Sequence, residues 1–130
     1  MGKIENFEDL QIWILAREIA SEIWKLFLET ELGKDYSFRN QMNRSSGSIM
    51  DNIAEGFERN GNREFIQFLS IAKASCGELR SQLYRCHDRK YISIQVLNEL
   101  INKTTKEGKQ IGAFIQNLKK SERKGSKFDS

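Results

Sequence analysis

The 130-residue sequence contains no proline. Average usage is about 5%, and because proline interrupts helices, its absence favours long continuous helices. Histidine occurs once, as His87, and cysteine twice, as Cys76 and Cys86. These counts leave few residues from which a metal site or a nucleophile–base pair could be built. With 38% apolar and 30% charged residues, the composition predicts one soluble domain without a transmembrane span.

The two cysteines lie ten residues apart in one predicted helix, or about 15 Å along its axis, which is too far for a disulfide. We interpret both as small buried residues of a reduced, cytosolic protein. The N-terminal residues 1–6 contain no apolar signal core, so secretion is not expected. We therefore predict a cytoplasmic location.

Charge is divided unevenly between the two halves of the chain. Residues 1–58 hold six Lys or Arg against eleven Asp or Glu, a net charge of −5. Residues 59–130 hold fifteen against seven, a net charge of +8, and the total of +3 conceals this polarity. Such an asymmetry can serve a nucleic-acid partner, or it can bring the basic half of one protomer to the acidic half of another. The sequence leaves both uses open.

Apolar periodicity predicts four helices. They span about residues 6–32, 37–59, 63–90 and 93–120. Gly33 is predicted to end the first helix, and Asn60-Gly61-Asn62 to form a turn. Asn62 and Ser93 are the predicted N-caps of the third and fourth helices. Short turns make consecutive helices antiparallel neighbours. The predicted fold class is all-α, an antiparallel up-down four-helix bundle over residues 1–120. The aperiodic residues 121–130 are predicted to form a basic, disordered C-terminal tail.

The first predicted helix carries two apolar stripes on nearly opposite faces. The first stripe comprises Leu10, Trp13, Ala16, Ala20, Ile23 and Phe27. One stripe suffices to pack a helix into a bundle, so the second stripe must be buried against another surface or remain exposed to solvent. We interpret the second stripe as a candidate oligomer interface, formed by Ile12, Leu15, Ile19 and Leu26.

The turn at Gly61 also predicts how the second and third helices align. If they are antiparallel, residues whose numbers sum to about 121 lie side by side, so residues 46–48 face residues 73–75. Both segments consist mainly of small residues, which allow helices to approach closely. The same rule places Arg44 within reach of Glu78.

A polar stripe at heptad spacing follows the second helix, formed by Ser45, Ser48, Asn52, Glu55 and Arg59. Three interpretations stay open: a solvated face, a buried hydrogen-bonded network that fixes helix register, or a catalytic use of Glu55. The sequence supplies no partner acid, histidine or metal ligand for that carboxylate. The residue three before His87 is Tyr84, so the Glu-x-x-His motif of di-iron bundles is missing. We therefore predict no enzyme activity, no catalytic residue, no metal and no cofactor.

Basic residues of the second half are the main candidates for nucleic-acid binding. Two groups mark the ends of the third and fourth helices, and antiparallel helices would place them at opposite ends of the bundle. Lysines in a last turn can equally complement the helix dipole, and basic tails can aid solubility. Together with Arg44 of the first half, the candidate contacts to phosphates and unpaired bases are Arg59, Arg63, Arg80, Arg85, Arg89, Lys90, Lys119, Lys120, Arg123 and Lys124.

The run QMNRSSGSIMDNIAEGFER at 41–59, followed by EFIQFLSIA at 64–72 and by Glu78-Leu79, resembles a family of four-helix bundles encoded in intervening sequences of bacterial 23S ribosomal RNA genes. The pattern F-x-x-L-x-x-W-x-x-A at 7–16 is similar too, so the resemblance covers about residues 7–92. Its most specific part is S-I-x-x-N-I-A-E-G at 48–56. The residues assigned to this structural motif are Ser48, Asn52, Glu55, Gly56 and Glu78.

The resemblance implies an antiparallel bundle that assembles into a ring-like homopentamer. Relatives include the accessory variability determinant of diversity-generating retroelements, a basic barrel thought to bind nucleic acid and a reverse transcriptase. This chain departs from the family pattern in two places. It has Asn43-Arg44 where the family usually has two arginines, and it lacks the proline that often follows the first helix. The first departure removes one positive charge from an RNA-binding surface.

Two functional hypotheses follow. The first is a non-enzymatic homo-oligomer that contacts RNA or DNA through Arg and Lys of its basic half. The alternative is a structural protein–protein interaction module with no nucleic-acid role. The expected partners are further copies of the chain, RNA or DNA, and a reverse transcriptase or another protein, but no membrane.

Overall fold

The computed structural model describes the backbone of residues 4–129 and the side chains of residues 4–121. Four helices follow one another along the chain: α1 (Gln11–Glu29), α2 (Tyr36–Glu58), α3 (Asn62–Asp88) and α4 (Ile94–Asp129). Short 3₁₀ turns lie on either side of α1, at Phe7–Asp9 and Glu31–Lys34. The described residues contain no strand, so the predicted all-α class is confirmed.

The predicted C-terminal tail falls largely outside the described side chains. The backbone of α4 is helical to Asp129, and the side chains of residues 122–130 lie outside the described part. A boundary at residue 120 therefore stays a prediction. No helix in the described part of the chain has both the length and the apolar character that a membrane crossing requires.

The first helix ends earlier than predicted because Thr30 leaves the helical conformation, with φ −131° and ψ 169°. Its hydroxyl donates to the Leu26 carbonyl at 2.7 Å and accepts from the Leu32 amide at 3.2 Å. Such local hydrogen bonds compete with the helical ones. Gly33 lies in the turn that follows, where a Cβ would overlap the carbonyl oxygen of Phe27. A close approach of two backbone segments therefore requires glycine at this position.

The third and fourth helices begin close to their predicted starts. Gly61 precedes α3 with φ +114°, a backbone conformation that favours glycine, as the predicted turn requires. The N-cap of α3 is Gly61 and the first helical residue is Asn62, so the prediction of Asn62 as the N-cap is wrong by one position. Ser93 does act as a cap, since its hydroxyl accepts from the Val96 amide at 3.2 Å.

Each helix packs against two others, in the cyclic order α1, α2, α3, α4, which is typical of a four-helix bundle. On the α2–α3 pair, Arg44 lies 3.5 Å from Glu78, and the backbone of Gly56 lies against Phe65 and Phe68. Residue numbers therefore rise along one helix as they fall along the other. This confirms the predicted antiparallel register of α2 and α3 and the predicted Arg44–Glu78 contact.

Three residues of the second α1 stripe belong to the core and do not form an outer surface. Ile12, Ile19 and Leu26 are at most 8% exposed within the single chain, and Leu15 is half-buried. The reason is that α1 packs against both α2 and α4, so its buried arc must face two neighbours. The sequence-based prediction of an oligomer interface is therefore wrong for Ile12, Ile19 and Leu26, and it stays a prediction for Leu15.

A different set of apolar side chains points outward from α1. Ile14, Trp24 and Leu28 are 43%, 52% and 72% exposed. Their spacings of ten and four residues place them on one side of the helix. We call these three residues the α1 outer face.

Candidate nucleic-acid interface

The basic side of the bundle is built where α3 and α4 pack against each other. Arg80 Nη1 donates to Thr105 Oγ1 at 3.3 Å. Further along, a Cβ on Gly112 would lie 3.3 Å from the Lys73 side chain. The two helices therefore run antiparallel, with contacting residues whose numbers sum to about 185. Three small residues, Ala74, Gly77 and Gly108, line the groove between them.

A cleft of about 490 Å³ lies in this groove. An adjoining depression shares Gly77, Arg80 and Thr105 with it and ends at Tyr84 and Ile101. From Ser70 at one end to Tyr84 at the other, the combined groove follows α3 for fourteen residues, or about 21 Å. We call this combined groove the α3–α4 cleft.

Three cations lie along the α3–α4 cleft: Lys73, Arg80 and Lys109. Lys73 and Arg80 are seven residues apart on α3, or about 10 Å. Gly108 faces Cys76, so Lys109 falls between the two α3 cations. None of the three forms an ion pair with a carboxylate in the described part of the chain. Their charge is therefore available to an external anion.

Three of the predicted nucleic-acid-binding arginines form ion pairs with carboxylates of the same chain. Pairs of this kind at a surface contribute little to stability, but each carboxylate lowers the positive potential around its arginine. The pairs are Arg44 with Glu78 at 3.5 Å, Arg59 with Glu55 at 3.1 Å, and Arg89 with Asp35 at 2.8 Å.

The predicted basic group at the end of α3 forms a network with the start of α2. The guanidinium carbons of Arg85 and Arg89 lie 4.3 Å and 4.6 Å from the ring centroid of Phe38, within cation–π distance. The Tyr91 hydroxyl donates to Asp35 at 2.7 Å. Hydrogen bonds from Tyr91, and then from Arg89, hold the pKa of the Asp35 carboxyl below its usual value. A structural role accounts for these contacts.

The other predicted basic candidates are spread over the surface. Arg63, Lys119 and Lys120 are exposed. Lys90 is exposed as well and ends α3 in a left-handed conformation, with φ +63°. Because α3 and α4 are antiparallel, Lys90 and Lys119 lie toward opposite ends of the bundle, as predicted. The remaining two candidates, Arg123 and Lys124, lie outside the described side chains.

Most of the polar stripe of α2 forms a hydrogen-bonded network with α3. Ser45 is buried and donates to the Gln82 side-chain oxygen at 2.5 Å. Ser75 donates to Ser48 at 2.9 Å, and the Ser48 hydroxyl also accepts from Asn52 at 2.9 Å. Because polar groups inside a helix interface must be matched, this network fixes the register of the two helices.

The other end of the stripe is solvated, since Glu55 is exposed and paired with Arg59. The adjacent Gly56 has a packing role, because a Cβ there would lie 2.7 Å from the Phe68 Cβ. In the described part of the chain, no group of three His, Cys, Asp or Glu residues could hold a metal ion.

Both cysteines are free and buried. Burial raises the pKa of the Cys76 thiol and of the Cys86 thiol to about 12. Thiols of this kind are rarely ionised at neutral pH and react slowly. They are packing residues, as the sequence predicts.

The sequence reasoning missed Lys73 and Lys109, because neither belongs to a run of basic residues. A usable signal is present on α3, where Lys73, Gly77 and Arg80 alternate at spacings of four and three. This spacing puts two cations on one helix face with a residue that lacks a side chain between them. Lys109 carries no comparable signal.

The sequence profile of the 23S rRNA-intervening sequence protein matches residues 8–113. This chain belongs to that family. The match includes every residue that lines the α3–α4 cleft. The resemblance identified in the sequence is therefore confirmed.

A solved structure supports the fold of this family member. The chain is similar to a protein of unknown function from the S23 ribosomal protein family of Bacteroides thetaiotaomicron, with a TM-score of 0.74 and 24% sequence identity. The superposition covers 80% of this chain and 97% of that chain. At this identity the likeness shows the fold alone. The search among curated proteins found no match.

Proposed function

We propose that this member of the 23S rRNA-intervening sequence protein family is a non-enzymatic homo-oligomer that contacts RNA or DNA through Lys and Arg of its second half. The observation that carries the proposal is the α3–α4 cleft, in which Lys73, Arg80 and Lys109 lie together without a described carboxylate partner. Cations grouped in this way bind the phosphate backbone of nucleic acids.

The α1 outer face supports the proposed assembly. Ile14, Trp24 and Leu28 are exposed on one side of the helix, and exposed apolar patches commonly mark protein–protein contacts. The resemblance implies five copies, whose formal charge is +15, five times the +3 of one chain. A ring of this kind would present to an anionic polymer a field that one protomer lacks.

Two charge substitutions on this face test the assembly. Trp24→Glu with Leu28→Glu should give a soluble monomer with unchanged helicity, because both side chains are exposed and the core is left intact. The matched control is Ile71→Glu with Ile94→Glu, which changes two other exposed apolar residues by the same charge. Light scattering should report a monomer for the first pair and the wild-type mass for the control. An unchanged mass for the first pair would place the contact elsewhere.

The alternative function is a structural protein–protein interaction module with no nucleic-acid role. The same α1 outer face favours it, because this face fits an apolar partner surface and not a polyanion. As the resemblance implies, the partners would be further copies of the chain, or a reverse transcriptase or another protein.

A filter-binding titration across salt concentration separates the two functions. A nucleic-acid binder should bind a structured RNA at about 50 mM salt and lose affinity steeply toward about 200 mM, because neutralised phosphates release counterions. No binding at the lower salt concentration would overturn the nucleic-acid proposal and favour the interaction module.

We also propose that the protein acts in the cytosol, where nucleic acid is accessible to it. The cysteine usage of the chain supports this location, because both thiols are buried packing residues not placed for a disulfide, whereas small extracellular domains commonly rely on disulfides. Fractionation of the native cells should recover the protein with soluble cytosolic markers, and recovery with membranes or in the medium would contradict it.

A further inference from the structure

We propose that the α3–α4 cleft binds a single-stranded segment of nucleic acid, with its three cations on the phosphates and Tyr84 stacked on a base. The inference rests on the proposed function and deepens it, because it names the site and the form of the ligand. Of the residues involved, only Arg80 belongs to the basic candidates indicated by the sequence.

The three cations are spread along the length of the α3–α4 cleft, which suits a polymer of phosphates. Along the axis of α3, Lys109 lies about 5 Å from Lys73, and Arg80 about 5 Å further on. A nucleic-acid strand carries one phosphate per about 3.4 Å when stacked in a duplex, and it lengthens when its bases unstack. The cations alternate between the two helices at axial steps of about 5 Å, so side chains that reach in from both walls of the cleft can follow an unstacked backbone.

The floor of the cleft leaves room for such a backbone. A Cβ added to Gly77 would meet no heavy atom within 4 Å, and one added to Gly108 would come no closer than 3.9 Å to Cys76. The Thr105 hydroxyl accepts from Arg80 at 3.3 Å, which leaves its hydrogen to donate to a phosphate oxygen. The site thus offers both charge and a directed hydrogen bond.

The far end of the cleft provides an aromatic ring. Tyr84 is 53% exposed and lies one helical turn beyond Arg80 on the same side of α3. Exposed aromatic rings beside cations bind unpaired bases by stacking, at about 1–3 kcal/mol per base. Helices packed with axes about 8–10 Å apart leave a groove too narrow for a duplex to enter. The combination therefore selects a single strand.

The charge test compares two triple variants that remove the same charge. In the cleft variant, Lys73, Arg80 and Lys109 are each changed to Gln; in the control, the exposed Lys25, Lys34 and Lys106 are each changed to Gln. Fluorescence anisotropy with a labelled single-stranded RNA of about 12 nucleotides gives the affinity at several salt concentrations. The slope of log affinity against log salt is negative, and each phosphate contact to a single strand contributes about 0.7 to its magnitude. Losing three contacts should therefore make the slope shallower by about 2. The control should keep the wild-type slope.

Two further substitutions test the shape of the site without changing its charge. Gly77→Leu fills the cleft, and because a Cβ at this position has open space, the fold should be kept while single-strand affinity falls at least tenfold. Tyr84→Ala should lower the affinity about 5- to 150-fold through lost stacking, whereas Tyr84→Phe, which keeps the ring, should bind like the wild type. Circular dichroism checks that each variant is folded.

The outcomes separate the site from the function. If the wild type binds neither single-stranded nor duplex RNA at about 50 mM salt, the proposed function itself fails. If the wild type binds but the cleft variant and Gly77→Leu bind like the control, the function stands and the cleft assignment is overturned. Tighter binding of a duplex than of a single strand, or full affinity in Tyr84→Ala, would overturn the single-strand assignment.

Discussion

Replacing Glu107 by glutamine should remove a pH-dependent loss of stability from the bundle. Glu107 is fully buried, and neither of its carboxylate oxygens has a hydrogen-bond partner in the described part of the chain. Lys103, one turn earlier on the same helix, is already bound by Glu18 and Glu22 at 2.8 Å each. Burial therefore raises the pKa of Glu107 from 4.5 to about 8, because a charged carboxylate without a partner is poorly solvated inside a protein.

The sign and size of the effect follow from proton linkage. The folded protein holds the Glu107 proton more tightly than the unfolded chain does. The stability that the protonated carboxyl provides is therefore fully present below pH 4.5 and is lost as the pH rises to about 8. A pKa difference of this size corresponds to roughly 5 kcal/mol in total, of which roughly 3 kcal/mol is lost by pH 7. Glutamine has nearly the same shape and no proton to lose, so Glu107→Gln should escape this loss.

Urea unfolding at pH 5, 6, 7 and 8 measures the effect. The free energy of unfolding of Glu107→Gln should exceed that of the wild type by an amount that grows by up to about 1.4 kcal/mol per pH unit and levels off near pH 8. The control, Glu99→Gln, changes an exposed glutamate of the same helix and should parallel the wild type. A difference between Glu107→Gln and the wild type that stays constant with pH would refute the reasoning, because it would show that the buried carboxyl does not titrate differently on folding.

Four further predictions concern packing. Gly56→Ala should lower the free energy of unfolding by about 1–3 kcal/mol, because its Cβ would overlap a phenylalanine side chain. Gly77→Ala should raise the free energy of unfolding by up to about 1 kcal/mol, because the added methyl has open space and favours the helix. A urea melt in which either variant is as stable as the wild type would contradict the prediction for that variant. Cys76 and Cys86 should resist iodoacetamide at pH 8 in the native protein and react in urea, as mass spectrometry can show; rapid native labelling would contradict their burial. Ile19→Glu, which buries an unpaired charge, should abolish the helical circular dichroism signal, and a folded variant would contradict the core position of this residue.

The α2–α3 pair could be predicted from the sequence because its signals are local. A turn at Gly61, apolar periodicity on both sides of it and facing runs of small residues together set one antiparallel register. That register correctly placed Arg44 beside Glu78. Where helices are joined by so short a turn, local sequence determines a contact between residues far apart in the chain.

The faces of α1 could not be predicted in the same way. Periodicity reports which residues are apolar, but the number of neighbouring helices decides how wide the buried arc is. Because α1 packs against both α2 and α4, Ile12 and Ile19 are core residues, and less regularly spaced residues such as Trp24 are exposed.

The candidate site was missed for a related reason. Basic residues were selected because they cluster along the sequence, but a carboxylate partner can come from a distant segment, as Asp35 does for Arg89. The α3–α4 cleft combines Lys73 of α3 with Lys109 of α4. These two residues lie side by side because of the register between the two helices, and the sequence of the α3–α4 connection does not fix that register.

The contact with nucleic acid is tested most directly by photocrosslinking to single-stranded RNA that carries 4-thiouridine, with the adducts mapped by mass spectrometry. Adducts are expected on the tryptic peptides 74–80 and 81–85, the second of which contains Tyr84. They should decrease in the Gly77→Leu variant. Adducts confined to peptides of α1 and its following turn, such as 26–34, or no adducts at about 50 mM salt, would contradict a nucleic-acid interface in the basic half of the chain.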